Sequence, residues 1–216
     1  MNGLIHSSLY FGMLVSVGAY MLGVWLKKKT GWAILNPLLV AIIVVIAFLS
    51  VFHIEYKEYN RGAVYLGYFL TPATVCLAIP LYKQLELLRQ HLIAVASAIV
   101  AGVAGSVGSI YVMCRFFQLE HTHYVTLLPK SITTAIGMGV SEEAGGIVTL
   151  TVISIIITGI LGNIIADWLF QIFKIEEPIA KGLALGTAAH AIGTAKALEL
   201  GEIEGAMSSL SIAVAG

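Results

Sequence analysis

Long apolar stretches separated by short clusters of charge set the pattern of this chain. Uncharged runs cover residues 1–26, 30–54, 62–82, 90–114 and 144–166, each at least 21 residues long. A helix of about 20 apolar residues crosses a bilayer core of about 30 Å. The pattern therefore predicts five spanning helices and an all-α, polytopic membrane helix bundle. Two shorter uncharged stretches, 131–141 and 182–195, are too short to cross alone and are rich in Gly, Thr and Ser. A last apolar run, 205–216, has 12 residues, so the final helix is expected to be incomplete at the C-terminus. With the broken elements counted, the expectation is about 7–8 membrane segments in a single integral membrane domain over 1–216.

Charge sharpens this expectation. Only 24 of 216 residues are charged, 12 basic and 12 acidic, and the mean hydropathy is +0.92. That balance excludes a nucleic-acid binder, which needs a basic excess, and a soluble domain with an ordinary charged surface. Lys27, Lys28 and Lys29 follow the first run and no basic region precedes it, which places the N-terminus outside. Lys83 and Arg89 then fall inside, and Lys57, Arg61 and Arg115 outside. If 125–141 enters and returns, or only half crosses, Lys174 and Lys181 also fall inside. The charge rule thus favours a re-entrant or broken element there. Cys76 and Cys114 lie within apolar runs without a CxxC motif and read as small buried packing residues.

Ala94, Ala98, Ala101, Gly105 and Ser109 recur at three- and four-residue spacing, a face on which another helix can pack closely. Gly159 and Gly162 carry the same reading. Ser97–Gly102 reads SAIVAG and Ser211–Gly216 reads SIAVAG, each after a broken-looking stretch, LTPATVCLAIPL at 70–81 and LGTAAHAIGTAKAL at 185–198. These matches predict inverted repeats over 1–117 and 121–216 with discontinuous helices.

Three polar interruptions carry the functional argument. Pro72, between Thr71 and Thr74 and followed by Pro80, breaks the helix ladder and frees carbonyls upstream. Pro129 suits the first position of a new helix, with Lys130, Ser131, Thr133 and Thr134 beside it. A helix beginning inside the membrane aims N–H groups and its positive dipole end inward, and Lys130 adds a full charge, a combination suited to a carboxylate. Pairing of Lys130 with Glu120, Glu142 or Glu143 is the competing structural reading. The third interruption, Gly182–Lys196, has little side-chain bulk. Gly186 and Gly193 let a ligand approach the backbone, with unwinding expected at Gly193. Thr194 offers a hydroxyl, His190 a proton or an orienting contact, and Lys196 a charge. Lys196 also has Glu199 one turn away as a partner, and Asp167 beside Trp168 reads as an interfacial anchor. Glu120, His121 and His123 lack a fourth metal ligand, and no phosphate loop or nucleophile elbow occurs. The expectation is no enzyme, no metal and no cofactor.

LLPKSITTAIGMGVSEEAGG (127–146) and GLALGTAAHAIGTAKALELGEIEGAMSSL (182–210) strongly resemble the LrgB/CidB family, and LTPATVCLAIPLY (70–82) and TGILGN (158–163) are similar to it as well. Ala135 departs from the pattern, which has proline after the paired threonines. The resemblance implies a bacterial inner-membrane protein working with a small LrgA/CidA-type membrane partner and forming homo-oligomers. It implies antiholin-like modulation of murein hydrolase activity and autolysis. It also implies, through plastid glycolate/glycerate exchangers and a link to pyruvate movement, a secondary transporter or facilitator of small monocarboxylates. Combined with the three interruptions, this is the leading expectation from sequence. The anion sits between the element at Pro129–Lys130 and that at Gly186–Lys196; the antiholin-like regulator is the alternative.

Overall fold

The structure, a computed structural model, describes residues 10–32 and 34–215; residues 1–9 of the first apolar run, Ala33 and Gly216 lie outside the described residues. The chain is all-helical, with no strand among the described residues. It divides into two compact units, Met1–Cys76 and Leu77–Gly216. Five spanning runs are expected, whereas three helical stretches among the described residues are long and apolar enough to cross a membrane: Tyr56–Lys83, Leu92–Phe116 and Val148–Ile172.

The first unit contains α1 (Phe11–Thr30), α2 (Pro37–Val51), α3 (Tyr56–Gly67) and α4 (Leu70–Cys76). The run 30–54 yields a helix of only 15 residues because local chemistry fixes both ends. Gly31, at φ 69°, ends α1 in the left-handed region. Asn36 then caps α2, its Oδ1 accepting from the N–H groups of Leu38 and Leu39, with Pro37 at the first helical position. Glycine brings α1 against its neighbours. A Cβ at Gly23 would lie 2.8 Å from Pro37 Cα, and one at Gly12 would strike the Tyr59 carbonyl. Ser16 Oγ and Tyr59 Oη share a hydrogen bond of 2.6 Å across the α1–α3 contact. Regular helix is interrupted at Tyr68–Phe69, just before Pro72, and again at Leu77, just before Pro80. Cys76 is exposed, against the buried reading; Cys114 is buried.

The second unit contains α5 (Ala78–Lys83), α6 (Leu85–Gln90), α7 (Leu92–Phe116), α8 (His121–Leu127), a 3₁₀ turn (Leu128–Ser131), α9 (Thr134–Glu143), α10 (Val148–Ile172), α11 (Pro178–Leu200) and α12 (Glu202–Ala215). Its core joins Val95 and Ile99 of α7 to Leu183 of α11 and Ala206 and Met207 of α12. α11 and α12 pack backbone to backbone: a Cβ at Gly182 would strike the Glu204 carbonyl, and one at Gly186 would lie 2.5 Å from the Ser208 carbonyl.

Two elements of this unit turn back on themselves. α11 breaks at Ala189 and His190, where His190 takes φ 43° and ψ −136°. Beyond the break the chain reverses. A Cβ at Gly193 would meet the Leu185 carbonyl, Leu185 and Ala197 share a buried cluster around Ala166, and Lys181 and Leu200 line one pocket. The sequence reading puts the unwinding at Gly193. The turn lies at Ala189–His190 instead, and Gly193 supplies the bare surface that lets the returning half lie on the Leu185 carbonyl. The stretch 125–141 also returns: Gly137 of α9 faces Pro129, and Thr126 of α8 and Ser141 of α9 meet through Thr151 of α10. Here the new helix starts at Thr134 rather than Pro129, because the 3₁₀ turn and the extended Ile132 (ψ 176°) intervene.

The two hairpins dock on opposite ends of α10. Thr151, near its start, binds the stem of the first; Asp167, near its end, binds the stem of the second. Their inner ends meet at Ile155, whose side chain fills the notch at Gly137 and whose carbonyl oxygen takes the His190 ring.

One stop signal ends α2, α7 and α10. Phe52-His53-Ile54-Glu55, Phe117-Gln118-Leu119-Glu120 and Phe173-Lys174-Ile175-Glu176 each place a polar residue in the left-handed region (φ 53°, 52° and 51°). The next N–H then donates five residues back, to Leu49, Cys114 and Phe170.

Candidate functional site

The second unit holds a cleft of about 660 Å³ between α7, α10 and the outgoing half of α11. Its walls are small and apolar: Ala98, Gly102 and Gly105 from α7, Ala180, Ala184 and Ala188 from α11, and Leu161, Gly162 and Ile165 from α10. Polar groups gather toward one end, where Ser106, Ser109, Lys130, Ser131, Thr158 and Thr187 contribute. Lys130 Nζ donates to Ser131 Oγ at 3.1 Å, and Ser131 Oγ bonds Ser106 Oγ at 3.0 Å. Thr187 Oγ1 donates to the Leu183 carbonyl at 2.7 Å.

Two properties make this cluster chemically specific. Neither Glu120, Glu142 nor Glu143 pairs with Lys130; among the described residues no carboxylate lies within ion-pair distance of it. The cluster is also deep. Ser106 stands about 21 Å from the start of α7 and about 15 Å from its end, at 1.5 Å per residue. A cation without a counter-charge, set among hydroxyls near the middle of a spanning helix, offers a place for one small anion. The 3₁₀ turn also brings the start of α9 near Lys130. Thr133 occupies its N-cap without a side-chain cap bond.

The remaining expected residues lie elsewhere. Gly186 faces the α12 backbone, and Gly193 lies inside the second hairpin. Thr133 and Thr134 form the start of α9 and are half-buried. Thr194 Oγ1 bonds the His190 carbonyl at 3.1 Å and Ser208 Oγ at 2.7 Å, joining the returning half of α11 to α12. Lys196 donates to Asp167 Oδ2 at 2.7 Å, not to Glu199, so Asp167 is its ion-pair partner. His190 is 3% exposed, with Nε2 2.9 Å from the Ile155 carbonyl oxygen. A carbonyl only accepts, so Nε2 carries the proton. Pro129 is buried in the turn that presents Lys130. Ser106, Thr158 and Thr187 escaped the sequence reading as site residues. Their signal was a hydroxyl beside a small-residue stripe, which reads equally well as packing.

The TGILGN stretch explains how α10 accepts the α11 break. A Cβ at Gly159 would lie 2.8 Å from the His190 ring, one at Gly162 would lie 2.6 Å from Ala189 Cβ, and Asn163 Nδ2 donates to the Ile192 carbonyl at 3.3 Å. Among the described residues no group of three metal-ligating side chains occurs.

Comparison with known proteins decides the family. The sequence model of the LrgB-like family matches residues 16–216. The chain belongs to the LrgB family. It is 39% identical over 208 residues to the antiholin-like protein LrgB of Bacillus subtilis (strain 168), covering 96% of this chain and 90% of that protein. It is 40% identical, over the same shares, to the antiholin-like protein LrgB of Bacillus mycoides (strain KBAB4). The Bacillus cereus (strain B4264) protein of the same name is 39% identical. No solved structure gives a significant match to this LrgB-family chain.

Proposed function

We propose that this LrgB-family protein is an antiholin-like membrane regulator that restrains murein hydrolase activity and autolysis. The observation that supports this reading is the match, over nearly the whole chain, to relatives called antiholin-like. It acts in the bacterial inner membrane with a small LrgA/CidA-type partner and with further copies of itself. Deleting the chain from its host should accelerate detergent- or penicillin-induced lysis, and restoring it should slow lysis; lysis rates independent of the chain would reject this reading.

The cleft favours a second reading, carriage of a small monocarboxylate of the pyruvate, glycolate or glycerate kind. What supports it is the Lys130 cluster: one uncompensated cation, neighbouring hydroxyls and apolar walls. A second carboxylate would meet no second cation there, so dicarboxylates are poor fits. About 7–8 segments and inverted repeats over 1–117 and 121–216 go with this reading, supported by the match of SAIVAG at 97–102 with SIAVAG at 211–216. Lys83, Arg89, Lys174 and Lys181 flank one end of the second unit and Arg115 the other, an asymmetry that supports a cytoplasmic first end and an outside N-terminus. Reconstitution in liposomes separates the readings. Carriage predicts saturable uptake of labelled pyruvate or glycolate whose apparent affinity Lys130→Met weakens at least tenfold. Uptake absent both with and without the small partner leaves only the regulator.

A further inference from the structure

His190 stands where sequence alone puts a ligand contact or a proton relay. We infer that it is instead a positioning residue, pinning the inner end of the second hairpin to the α10 backbone and so setting where the cleft wall Thr187–Ala188 stands relative to Lys130. The consequence for flux rests on the anion-cleft reading; the geometry does not.

Four observations carry the inference. His190 holds the left-handed backbone conformation at which α11 reverses, a region that a residue with a side chain enters at a cost. Its ring is buried and donates to the Ile155 carbonyl, and neither His190 nor Ile155 is among the residues that line the cleft. α10 is shaped to receive it, since Gly159 leaves room for the ring and Gly162 for Ala189. The freed backbone beyond the break is also bound: Thr194 takes the His190 carbonyl and Asn163 the Ile192 carbonyl. The two residues before the break are Thr187 and Ala188, which line the cleft, and Thr187 stands directly opposite Gly102 of α7. The pin and the wall therefore move together. Ile155 joins them to the first hairpin, because its side chain fills the notch at Gly137, eight residues after Pro129.

A cross-link reads the wall position without any anion. A Cβ built on Gly102 lies 3.1 Å from Thr187 Cβ, a few tenths of an ångström inside the usual span of about 3.5–4.5 Å for a disulfide. In a chain carrying Cys76→Ser and Cys114→Ala, the pair Gly102→Cys and Thr187→Cys should cross-link readily under mild oxidation in detergent. Adding His190→Ala should slow it at least tenfold, and His190→Gln, which returns an N–H donor, should restore it. Unchanged cross-linking overturns the inference. Slowing that Gln does not reverse overturns the hydrogen-bond role. If His190→Ala does not fold, Gly159→Ala keeps the histidine but displaces its ring; it should slow cross-linking equally, and an unchanged rate again overturns the inference. In liposomes with labelled pyruvate, His190→Ala should cut the maximal rate at least tenfold and move the half-saturating concentration less than twofold. A raised half-saturating concentration at unchanged maximal rate would make His190 a ligand and overturn the inference. Absence of wild-type flux would fail the carriage reading alone, leaving the cross-link to decide.

Discussion

Replacing Lys130 by methionine separates a binding role from a structural one. The side chain keeps its approximate length and apolar contacts and loses only its charge and donors. Lys130 makes one hydrogen bond, to Ser131, and Ser131 keeps Ser106 as a partner after the change. No carboxylate is orphaned, so the usual penalty of breaking a buried ion pair does not arise. The cost to stability should stay below about 1 kcal/mol, which for a chain of this size is less than about 4 °C in Tm. Binding should respond very differently. A charge-assisted hydrogen bond contributes about 1.5–3 kcal/mol, or about 10- to 150-fold in affinity at 1.4 kcal/mol per decade. The assay pairs thermal unfolding in detergent with concentration-dependent uptake of labelled pyruvate into liposomes. Lys130→Met should leave Tm nearly unchanged and weaken apparent affinity at least tenfold, and Lys130→Arg should retain part of it. A large fall in Tm, or affinity preserved in the methionine variant, would refute the reasoning.

Asp167→Ala leaves Lys196, 12% exposed at its side chain, without its carboxylate; because Asp167 is itself 45% exposed, the loss should be nearer about 1–2 kcal/mol than the fully buried value, with Tm partly recovered when Lys196→Leu is added. Thr151→Val removes the hydroxyl that lies 2.9 Å from the Thr126 carbonyl oxygen and 2.7 Å from Ser141 Oγ; leaving these buried polar groups without that partner should cost about 1–3 kcal/mol, seen as a lower Tm in a chain still folded at about 25 °C. Gly182→Ala forces the α12 backbone away from α11 and should cost about 1–3 kcal/mol by overpacking, whereas Gly105→Ala, with open space at its Cβ, should be nearly neutral by the same measurement.

Helical class and the two interrupted stretches were legible because lipid-compatible helix demands long uncharged runs, and polar or glycine-rich runs inside them stand out. Lys130 was legible for the same reason: few residues are charged, and this one lies beside hydroxyls and a proline. The reversal points were not. Proline and glycine mark where a helix can break, yet α11 breaks at Ala189–His190, and the decisive partner is a carbonyl of Ile155, 35 residues away. Long-range pairing also hid the role of Asp167, which lies 29 residues from Lys196 and reads locally as an interfacial anchor. The small-residue stripe of α7 shows a subtler failure. Ala98 and Gly105 allow close packing in principle, but here they line a cleft, and only the neighbouring serines tell the two uses apart.

The hairpins also constrain how the chain is made. α8 and α9 have 7 and 10 residues, and the halves of α11 on either side of its break are about as short as α9, below the roughly 20 that insert as a span. A nascent chain therefore offers the insertion machinery α7 and α10 as stable stops, while the hairpin between them has contacts to α7 through Ser106–Ser131 and Tyr111–Tyr124 but lacks its Thr151 anchor until α10 arrives. The second hairpin, by contrast, finds α10 already seated and lacks only α12. α10 thus completes the docking of both hairpins, and a truncation before residue 148 should leave the first without the Thr151 bonds that join Thr126 to Ser141.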